Sequence, residues 1–275
     1  MKIALCFHGY FANSGGVSAS IEANKYIKDK ILNHNNVDIF VHSWDLDNEW
    51  LVTSMYECKS TKFEKQIDFK QNLKNYKQDW FFGDSSTPPG MYSSNTIDRA
   101  LSIAYSRKEV MNLKSQHEQE AGFTYDCVII SRFDLGTRGK EYPQEFYATD
   151  IHFDPSIDMN FLYSLYWNQL NWGFADHWFY SSSKNMDILA GLYDKIEEYY
   201  QPDSPYTNAV TTGWPDSNSE DEFSNEFYKE EKSSNLVSFP RWGCIDNHKL
   251  YKWYFIDTGL YEKCKFIDTN SCEVK

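Results

Sequence analysis

The chain has 275 residues, of which 41% are hydrophobic and 24% charged, a size and balance typical of one large α/β domain or two small ones. Its formal net charge of −13, from 40 acidic and 27 basic residues, argues against a general nucleic-acid-binding protein, whose affinity comes largely from neutralising phosphates. No apolar run approaches the roughly 20 residues that a membrane span needs, and residues 3–7 are too few for a signal-peptide core. We therefore expect no membrane span and a cytoplasmic location.

The six cysteines are scattered and form no CxxC pair, so the spacing typical of a zinc ribbon is absent. Cys6 and Cys127 fall in predicted buried strands, where we expect inert apolar thiols. A disulfide framework is not expected in a chain of this size. Aromatic residues make up 17% of the chain; their flat apolar faces suit both a protein core and the binding of sugar rings.

The chain opens with a predicted strand, loop and helix. Residues 2–7 are typical of a buried strand, and the loop 8–16 contains Gly9, Gly15 and Gly16, which permit positive φ and close approach of the backbone to a ligand. A helix N-terminus after such a loop is a ready anion site, although the loop matches neither GxGxxG nor a Walker A sequence. The predicted helix carries apolar residues at roughly helical spacing, namely Val17, Ile21, Ala23, Ile27 and Ile31.

A second strand is predicted over residues 37–42, and the β-α-β order indicates a parallel, right-handed crossover. Residues 46–78 are polar and lysine-rich, and we predict helices and loops there. A strong helix follows, which begins near a capping-box pair formed by Asn95 and Asp98 and ends at Gly122. Its apolar stripe consists of Ile97, Leu101, Ala104 and Met111.

The central prediction concerns residues 127–130, an unbroken apolar run typical of a strand buried on both faces. The run is followed closely by Arg132-Phe133-Asp134. In open α/β sheets, ligands bind outside the carboxyl ends of the strands, so the Asp134 carboxylate is well placed to hold a metal or a substrate hydroxyl. The alternative is that Arg132 and Asp134 pair with each other or cap the next turn.

The second half of the chain is less regular. Residues 151–153 suggest a short strand, and residues 161–180 are unusually rich in aromatic side chains. Residues 201–234 are rich in Pro, Ser, Asn and acids, which indicates either a functional lid or a poorly ordered insertion. One domain with an appended C-terminal cap fits this pattern better than two cores. Before the insertion, a helix capped by Ser183 is predicted from the spacing of Met186, Leu189, Leu192, Ile196 and Tyr199.

Several of these segments, in this order, resemble a group of uncharacterised GT-A-like glycosyltransferases from bacteria, phages and large viruses. The segments are residues 2–5, residues 37–44, the Tyr105-Ser106 helix leading through 122–126 into 128–134, and residues 175–183 with Met186-Asp187.

The resemblance covers roughly residues 1–200. It implies an α/β fold with a GT-A-like, Rossmann-like, mostly parallel central sheet flanked by helices and followed by a C-terminal cap. A single domain would span residues 1–275, with a nucleotide-sugar half over 1–135. The acceptor half over 136–275 would contain the acidic insertion 201–234.

The resemblance also implies an activity, the transfer of a sugar from a nucleoside-diphosphate sugar to a hydroxyl of a glycan or other acceptor. In GT-A enzymes a strand-end Asp-x-Asp usually holds Mn²⁺ or Mg²⁺ on the diphosphate, because hard cations take carboxylate and phosphate oxygens together. Here Arg132 replaces the first acid, so Asp134 is the direct metal ligand and Arg132 can contact phosphate itself. His248 is the candidate for the C-terminal histidine that completes the metal shell in some of these enzymes; the alternative is a structural histidine.

The residues implied to bind the donor are His8, Gly9, Tyr10, Ser43, Trp44, Asp45, Arg107 and Arg132. Arg107 could instead face solvent. The residues implied to be catalytic are Asp134 and Asp176. If the enzyme inverts, Asp176 would be the general base, with its pKa raised because neighbouring aromatic rings desolvate it; alternatively it pairs with His177 or caps a turn. Those rings are Trp172, Phe174 and Trp178, and the aromatic stretch 163–178 would shape the acceptor side.

Two rival functions compete with this interpretation. Residues Phe7-His8-Gly9 are similar to the His-Gly oxyanion loop of α/β-hydrolases, but the chain has no G-x-S-x-G nucleophile elbow. The second rival is a non-catalytic nucleotide-sugar- or glycan-binding protein on the same scaffold, since a fold does not determine a function.

Overall fold

The structure is a computed structural model that describes residues 1–12, 16–69, 97–135, 151–166, 174–201, 204–206, 247–268 and 273–274. The strands are β1 (Lys2–Gly9), β2 (Asn36–Ser43), β3 (Cys58–Phe63), β4 (Cys127–Ser131), β5 (Leu162–Leu165), β6 (Trp178–Ser181), β7 (Cys264–Asp268) and β8 (Glu273–Val274). The α-helices are α1 (Gly16–Lys30), α2 (Glu49–Met55), α3 (Ile97–Ala121), α4 (Ser183–Ala190), α5 (Leu192–Tyr199) and α6 (Asn247–Asp257). None of these helices is long and apolar enough to cross a membrane.

The eight strands form one sheet in the order β3-β2-β1-β4-β6-β5-β7-β8. The first four in this order are parallel to one another. Strand β6 runs antiparallel to its neighbours β4 and β5, whereas β7 is parallel to β5 and β8 is antiparallel to β7. The fold is therefore α/β with a mixed, mostly parallel, Rossmann-like sheet, and the predicted parallel β1-α1-β2 unit is confirmed.

Alternation along the strands explains why the sheet has helices on both faces. Successive side chains of a strand point to opposite faces, and β1 is apolar on both. Ala4 and Cys6 pack into the cluster that contains α3, α4, α5 and α6, whereas Ile3, Leu5 and Phe7 pack into the cluster that contains α1 and α2. Strand β4 is buried at every position, as the apolar run predicts.

The strand registers place the polar segments together. Phe7 pairs with Ser131, and Ser131 pairs with Trp178 at the start of the antiparallel strand β6. Strands β1, β2 and β4 therefore end, and β6 begins, at one edge of the sheet, which we call the carboxyl edge. His8 and Gly9, which the resemblance implies bind the donor, therefore lie at the same edge as Asp134.

Two predictions of secondary structure are wrong. Residues 58–63 form strand β3 instead of helix or loop; its side chains are partly exposed, so this polar edge strand lacks the apolar run that a strand prediction needs. Residues 151–153 are not a strand. The carbonyls of Ile151 and His152 accept hydrogen bonds from the Tyr26 and Tyr180 hydroxyls instead of ladder partners.

The predicted helices are confirmed with changes in detail. The apolar stripe of α1 is only partly buried, because Ile21 is 38% exposed. The helix predicted from Ser183 is two helices, α4 and α5, that meet at Gly191. A Cβ at Gly191 would lie 2.7 Å from the Tyr254 hydroxyl oxygen, so glycine permits α6 to pack closely there. The prediction that Ser183 caps the helix is wrong: Ser183 is the first residue of α4 and follows the N-cap Ser182, and its hydroxyl accepts from the buried Lys114 ammonium.

The aromatic stretch mostly fills the core. Tyr163, Phe174 and Trp178 are each no more than 4% exposed, because β5 and β6 lie inside the sheet and both of their faces pack into core clusters. Tyr166 is an exception, with 45% of its surface exposed, and Trp172 lies outside the described residues. The expectation that this stretch shapes an acceptor site is therefore wrong for its buried members.

The predicted C-terminal cap is also wrong for the described residues. Strand β7 pairs with β5 inside the sheet, and α6 places Tyr251 and Phe255 in the core. These residues complete the central fold because β5 needs a partner on its outer side. Most of the predicted insertion 201–234 lies outside the described residues, as does Asn95 of the predicted capping box.

Candidate functional site

A buried arginine lies at the centre of the carboxyl edge. Arg107 of α3 is 1% exposed, so the alternative that it faces solvent is wrong. Its Nε donates a hydrogen bond to His8 Nε2 at 3.1 Å, and its Nη2 donates to the carbonyl of Asp176. The guanidinium carbon also lies 4.8 Å from the ring centre of Tyr251. A buried charge requires partners of this kind, so Arg107 joins the end of β1 to the segment before β6.

His8 is neutral in this environment. Burial lowers its pKa well below the ordinary value, and the nearby charges of Arg107 and Arg132 lower it further. Because Nε2 accepts from Arg107, the proton of the neutral ring is on Nδ1. That Nδ1–H group and Nη1 of Arg107 are buried and have no hydrogen-bond partner among the described residues. Unpartnered buried donors are rare in folded proteins, and both could donate to the oxygens of a ligand.

Gly9 follows with a backbone that only glycine adopts easily, at φ +92°. Its N–H donates to Ser106 Oγ at 2.9 Å, and its carbonyl accepts from Ser43 Oγ at 2.7 Å. Two consecutive residues of α3, Ser106 and Arg107, therefore hold the last two residues of β1. The end of β1 is fixed by the helix behind it as well as by its neighbouring strand.

Ser106 belongs to a buried chain of hydrogen bonds that continues to Glu64. His42 Nδ1 lies 2.6 Å from Ser106 Oγ, and His42 Nε2 lies 3.0 Å from Glu64 Oε1. Burial lowers the pKa of His42, and the carboxylate can only accept, so Nε2–H donates and Nδ1 accepts from the Ser106 hydroxyl. Lys62 closes the chain with an ion pair to Glu64 at 3.1 Å.

This Ser-His-Glu arrangement is not a hydrolase triad. Ser106 is fully buried, and its oxygen accepts from the Gly9 N–H, so it cannot approach a substrate carbonyl as a nucleophile requires. Its effect is to position Gly9. The sequence interpretation missed this chain of bonds; a histidine at the end of a buried strand was its only local signal.

The other predicted donor residues are divided between the core and the surface. Trp44 is 4% exposed and stacks on Tyr105 with ring centres 5.4 Å apart, so it is a core residue. Asp45 accepts from the Ala12 N–H at 2.9 Å and thereby ties the segment after β2 to the segment after β1. Tyr10, which was also predicted to bind the nucleotide sugar, is 44% exposed, so its ring is accessible at this edge.

Arg132 and Asp134 form a bidentate ion pair, as the alternative interpretation of that motif predicts. Arg132 Nε donates to Asp134 Oδ1 at 2.9 Å, and Nη2 donates to Oδ2 at 2.6 Å. The carboxylate is buried, with 2% of the Asp134 side chain exposed, whereas 19% of the Arg132 side chain is exposed. The pair therefore presents the guanidinium, and not the carboxylate, to the carboxyl edge.

Asp176 is close to several cationic or polar groups. The side-chain amide of Asn247 donates to its Oδ2, and His248 Nδ1 lies 4.0 Å from its Oδ1. Burial alone would raise the pKa of Asp176, but charged neighbours, of which His248 and Arg107 have the largest effects, hold it well below the ordinary value. The expectation that desolvation raises this pKa is therefore wrong, because the surrounding positive charges outweigh burial.

His177 lies beside this carboxylate and is also neutral. Burial lowers its pKa to about 4, with the Arg132 charge as the next cause. Its Nδ1 is buried and has no partner among the residues that the structure describes. Among the described residues, Asp176 and His177 do not form the hydrogen bond that the alternative interpretation suggested. The Asp176 carboxylate instead accepts from the side-chain amide of Asn247.

The described residues do not fit a divalent metal ion. Both oxygens of Asp134 accept from Arg132, so a metal ion at this carboxylate would compete with the guanidinium. Across the described ranges, no group of three or more His, Cys, Asp or Glu residues could share an ion. Metal binding by Asp134 and His248 stays a prediction, and no step below depends on it.

No model of a known protein family matches the chain, and no curated protein matches it. The fold and the site therefore define the class of the protein by themselves. It is an α/β protein with a Rossmann-like sheet and a polar site at its carboxyl edge, where Arg107, His8, Asp176 and the Arg132–Asp134 pair converge.

Proposed function

We propose that the protein is a GT-A-like glycosyltransferase that moves a sugar from a nucleoside-diphosphate sugar to a hydroxyl of a glycan or other acceptor. The observation that carries the proposal is the bridge made by Arg107, which bonds to His8 on one side and to the Asp176 backbone on the other. A cationic donor and a carboxylate are thus held together at the edge of the sheet where α/β proteins bind ligands. Sugar transfer from a diphosphate with inversion uses both.

The part of the site that binds the nucleoside-diphosphate sugar needs hydrogen-bond donors. As the bond between the sugar and the diphosphate breaks, negative charge accumulates on the leaving phosphate oxygens. Donors fixed in a buried site stabilise that charge more than water does, because they need no reorganisation. The unpartnered Nη1 of Arg107 and Nδ1–H of His8 are suited to this role.

The acceptor side needs a proton acceptor. The acceptor oxygen would attack the anomeric carbon, its proton would pass to the Asp176 carboxylate, and the bond to the diphosphate would break. The lowered pKa of Asp176 keeps the carboxylate ionised at neutral pH, which is the form that a base requires, although it also makes the base weaker. Asn247 fixes the carboxylate through Oδ2.

The test measures donor binding and transfer separately. A thermal-shift screen of nucleotide sugars first identifies the donor, because a ligand that binds the folded state raises the midpoint of unfolding. Single-turnover transfer is then measured for wild type and for Asp176→Asn at saturating donor. We expect transfer to fall by at least about 100-fold, the lower end of general-base contributions, while donor binding is retained.

The matched control is Asp47→Asn, which removes the same charge from an exposed residue just after β2 and should leave transfer unchanged. Unchanged transfer by Asp176→Asn would remove Asp176 from the mechanism.

A non-catalytic binding protein is the second candidate. The observation that favours it is the Arg132–Asp134 ion pair, which occupies the carboxylate that a metal-dependent transferase would use. Donor binding by wild type without product from any donor and acceptor in the panel would support this candidate over the transferase.

A further inference from the structure

We propose that Arg132, held in place by Asp134, is the fixed cation that contacts the donor's phosphate groups in place of a divalent metal ion. The inference rests on the proposed function, since it identifies how the same site binds a nucleoside diphosphate. On this inference, diphosphate binding needs no metal ion, and Asp134 positions the Arg132 guanidinium.

The geometry of the ion pair supports this assignment. Two parallel hydrogen bonds of 2.9 and 2.6 Å join the guanidinium to the carboxylate, and a bidentate pair of this kind fixes the direction of the guanidinium plane. The side chain of Asp134 is 2% exposed and that of Arg132 is 19% exposed, so the guanidinium is the more accessible member of the pair. A ligand that arrives from the carboxyl edge would meet the cation first.

The guanidinium retains donors for a ligand. Arginine has five N–H groups, and the ion pair uses two, so three are left that bond to no other described side chain. With 19% of its side chain exposed, Arg132 can reach a ligand without unfolding the site. Its charge also lowers the pKa of His8 and of His177, which places it near the other donors of the site.

The same pair disfavours a metal. A divalent ion at Asp134 would need oxygens that already accept from Arg132, and it would lie beside a positive charge 2.6 Å from the shared carboxylate. Like charges this close repel strongly in a partly buried site. Among the described residues, no group of three or more His, Cys, Asp or Glu side chains could complete a coordination shell.

The experiment is a calorimetric titration of the full chain with inorganic pyrophosphate and with each of the common nucleoside diphosphates. Each titration is done in a chelator and again with added Mn²⁺. We expect wild type to bind at least one nucleoside diphosphate in the chelator, with no more than about a 2-fold gain from Mn²⁺. Arg132→Gln should weaken that binding by at least about 10-fold, the lower end for hydrogen bonds to a charged group.

Two further variants keep the result interpretable. Arg132→Lys retains the charge but not the planar fork, and it should bind more tightly than Arg132→Gln and more weakly than wild type. Lys30→Gln removes one positive charge from an exposed residue at the end of α1 and should bind like wild type. Circular dichroism of each variant checks that it is folded; if Arg132→Gln does not fold, the comparison is made with Arg132→Lys.

Failure of this inference differs from failure of the proposed function. Diphosphate binding that appears only with Mn²⁺, wild-type binding by Arg132→Gln in the chelator, or no binding at all would overturn the inference. Sugar transfer that requires Mn²⁺ would overturn it while supporting the transferase. Metal-free diphosphate binding that depends on Arg132, without transfer from any donor, would support the inference and refute the transferase.

Discussion

Arg107 determines how the carboxyl edge is assembled, because one buried side chain bonds to residues 99 and 69 positions away in the sequence. Its guanidinium also faces the rings of Phe179 and Tyr251, and contacts between cations and aromatic rings are stronger when they are desolvated. The residue is therefore both a structural link and the proposed donor to phosphate.

We predict that Arg107→Lys destabilises the protein by about 2–4 kcal/mol. Lysine keeps the charge but cannot donate to His8 and to the Asp176 carbonyl at once, and a buried charge with incomplete partners is costly. Urea unfolding followed by fluorescence gives the free energy of unfolding. Arg99→Lys, an exposed position on the first turn of the same helix, is the control. A change below about 1 kcal/mol in Arg107→Lys would contradict the role of the buried fork.

The Asp176 carboxylate shows a limit of reasoning residue by residue. Its aromatic sequence neighbours suggest desolvation and a raised pKa. The side chains that control the pKa come from α3, from Arg132 and from the start of α6, and their proximity is a property of the folded chain. The residues next to Asp176 in the sequence therefore predicted the wrong direction for the shift of its pKa.

At the scale of elements, helix α3 organises the site because it packs across β1 and β2 from the face opposite α1. It is buried along the sheet through Ala104 and Met111, which the apolar stripe predicted. Ser106 lies on a different side of the helix from Ala104, and both are buried. The polar residues of the site are thus placed by a helix that is buried on more than one side.

We predict that Ser106→Ala costs about 1–3 kcal/mol, because it leaves the buried Gly9 N–H and His42 Nδ1 without their partner. Chemical denaturation of wild type and variant measures the difference. Ser102→Ala, one turn earlier on α3, is the control: Ser102 is partly exposed and accepts only from Gln66 in the described structure, so its loss should cost well under about 1 kcal/mol. Equal costs for the two variants would show that the Ser106 bonds contribute little.

At the scale of the whole molecule, the C-terminal residues belong to the central fold. Strand β7 covers the outer side of β5, and α6 buries Tyr251, Trp253 and Phe255. A chain cut after residue 246 would lose both elements and expose this apolar surface.

We therefore predict that the chain 1–246 does not fold, because removing three large buried aromatic side chains costs about 9–15 kcal/mol, as much as a typical domain stability of about 5–15 kcal/mol. Near-ultraviolet circular dichroism and limited proteolysis report the loss of packing. The chain 1–268, which lacks β8 and the residues beside it, should keep its core and serves as the control. A folded 1–246 chain would restore the interpretation of this segment as an appended cap.

The pH dependence of stability is a second property of the whole molecule. Burial lowers the pKa of His8, His42 and His177, so the unfolded chain binds more protons than the folded chain below about pH 6.5. The stability from these neutral histidines is complete above that pH and is lost as the pH falls towards the folded pKa values. For His177, whose pKa falls from 6.5 to about 4, the loss amounts to at most about 3 kcal/mol.

We predict a decrease in the free energy of unfolding between about pH 6.5 and pH 4, measured by urea titration at several pH values. His177→Gln should reduce the slope, because the folded state then no longer excludes that proton. His34→Gln, at an exposed position, should leave the slope unchanged. A stability that is flat over this range in wild type would show that the three histidines are not held neutral by burial.

Local patterns in the sequence determined strands β1, β2 and β4 and helix α3. Each of these strands contains a continuous apolar run, and α3 has an apolar stripe with a glycine at its end, where Gly122 has φ +69°. Burial of apolar surface is decided mainly by which residues are apolar and at what spacing. The carboxyl edge with His8, Gly9 and Asp134 followed from these elements, since parallel strands end at the same edge.

Only the tertiary structure decided what these residues contact. Strand β5 pairs with β7 across about a hundred residues, and Asp176 meets Asn247 across 71; such contacts leave no periodicity in the sequence. The burial of Arg107 and the direction of the Asp176 pKa depend on these contacts. Charges act through space and not along the chain, so the chemistry of the site could be identified only after the sheet and helices had brought its groups together.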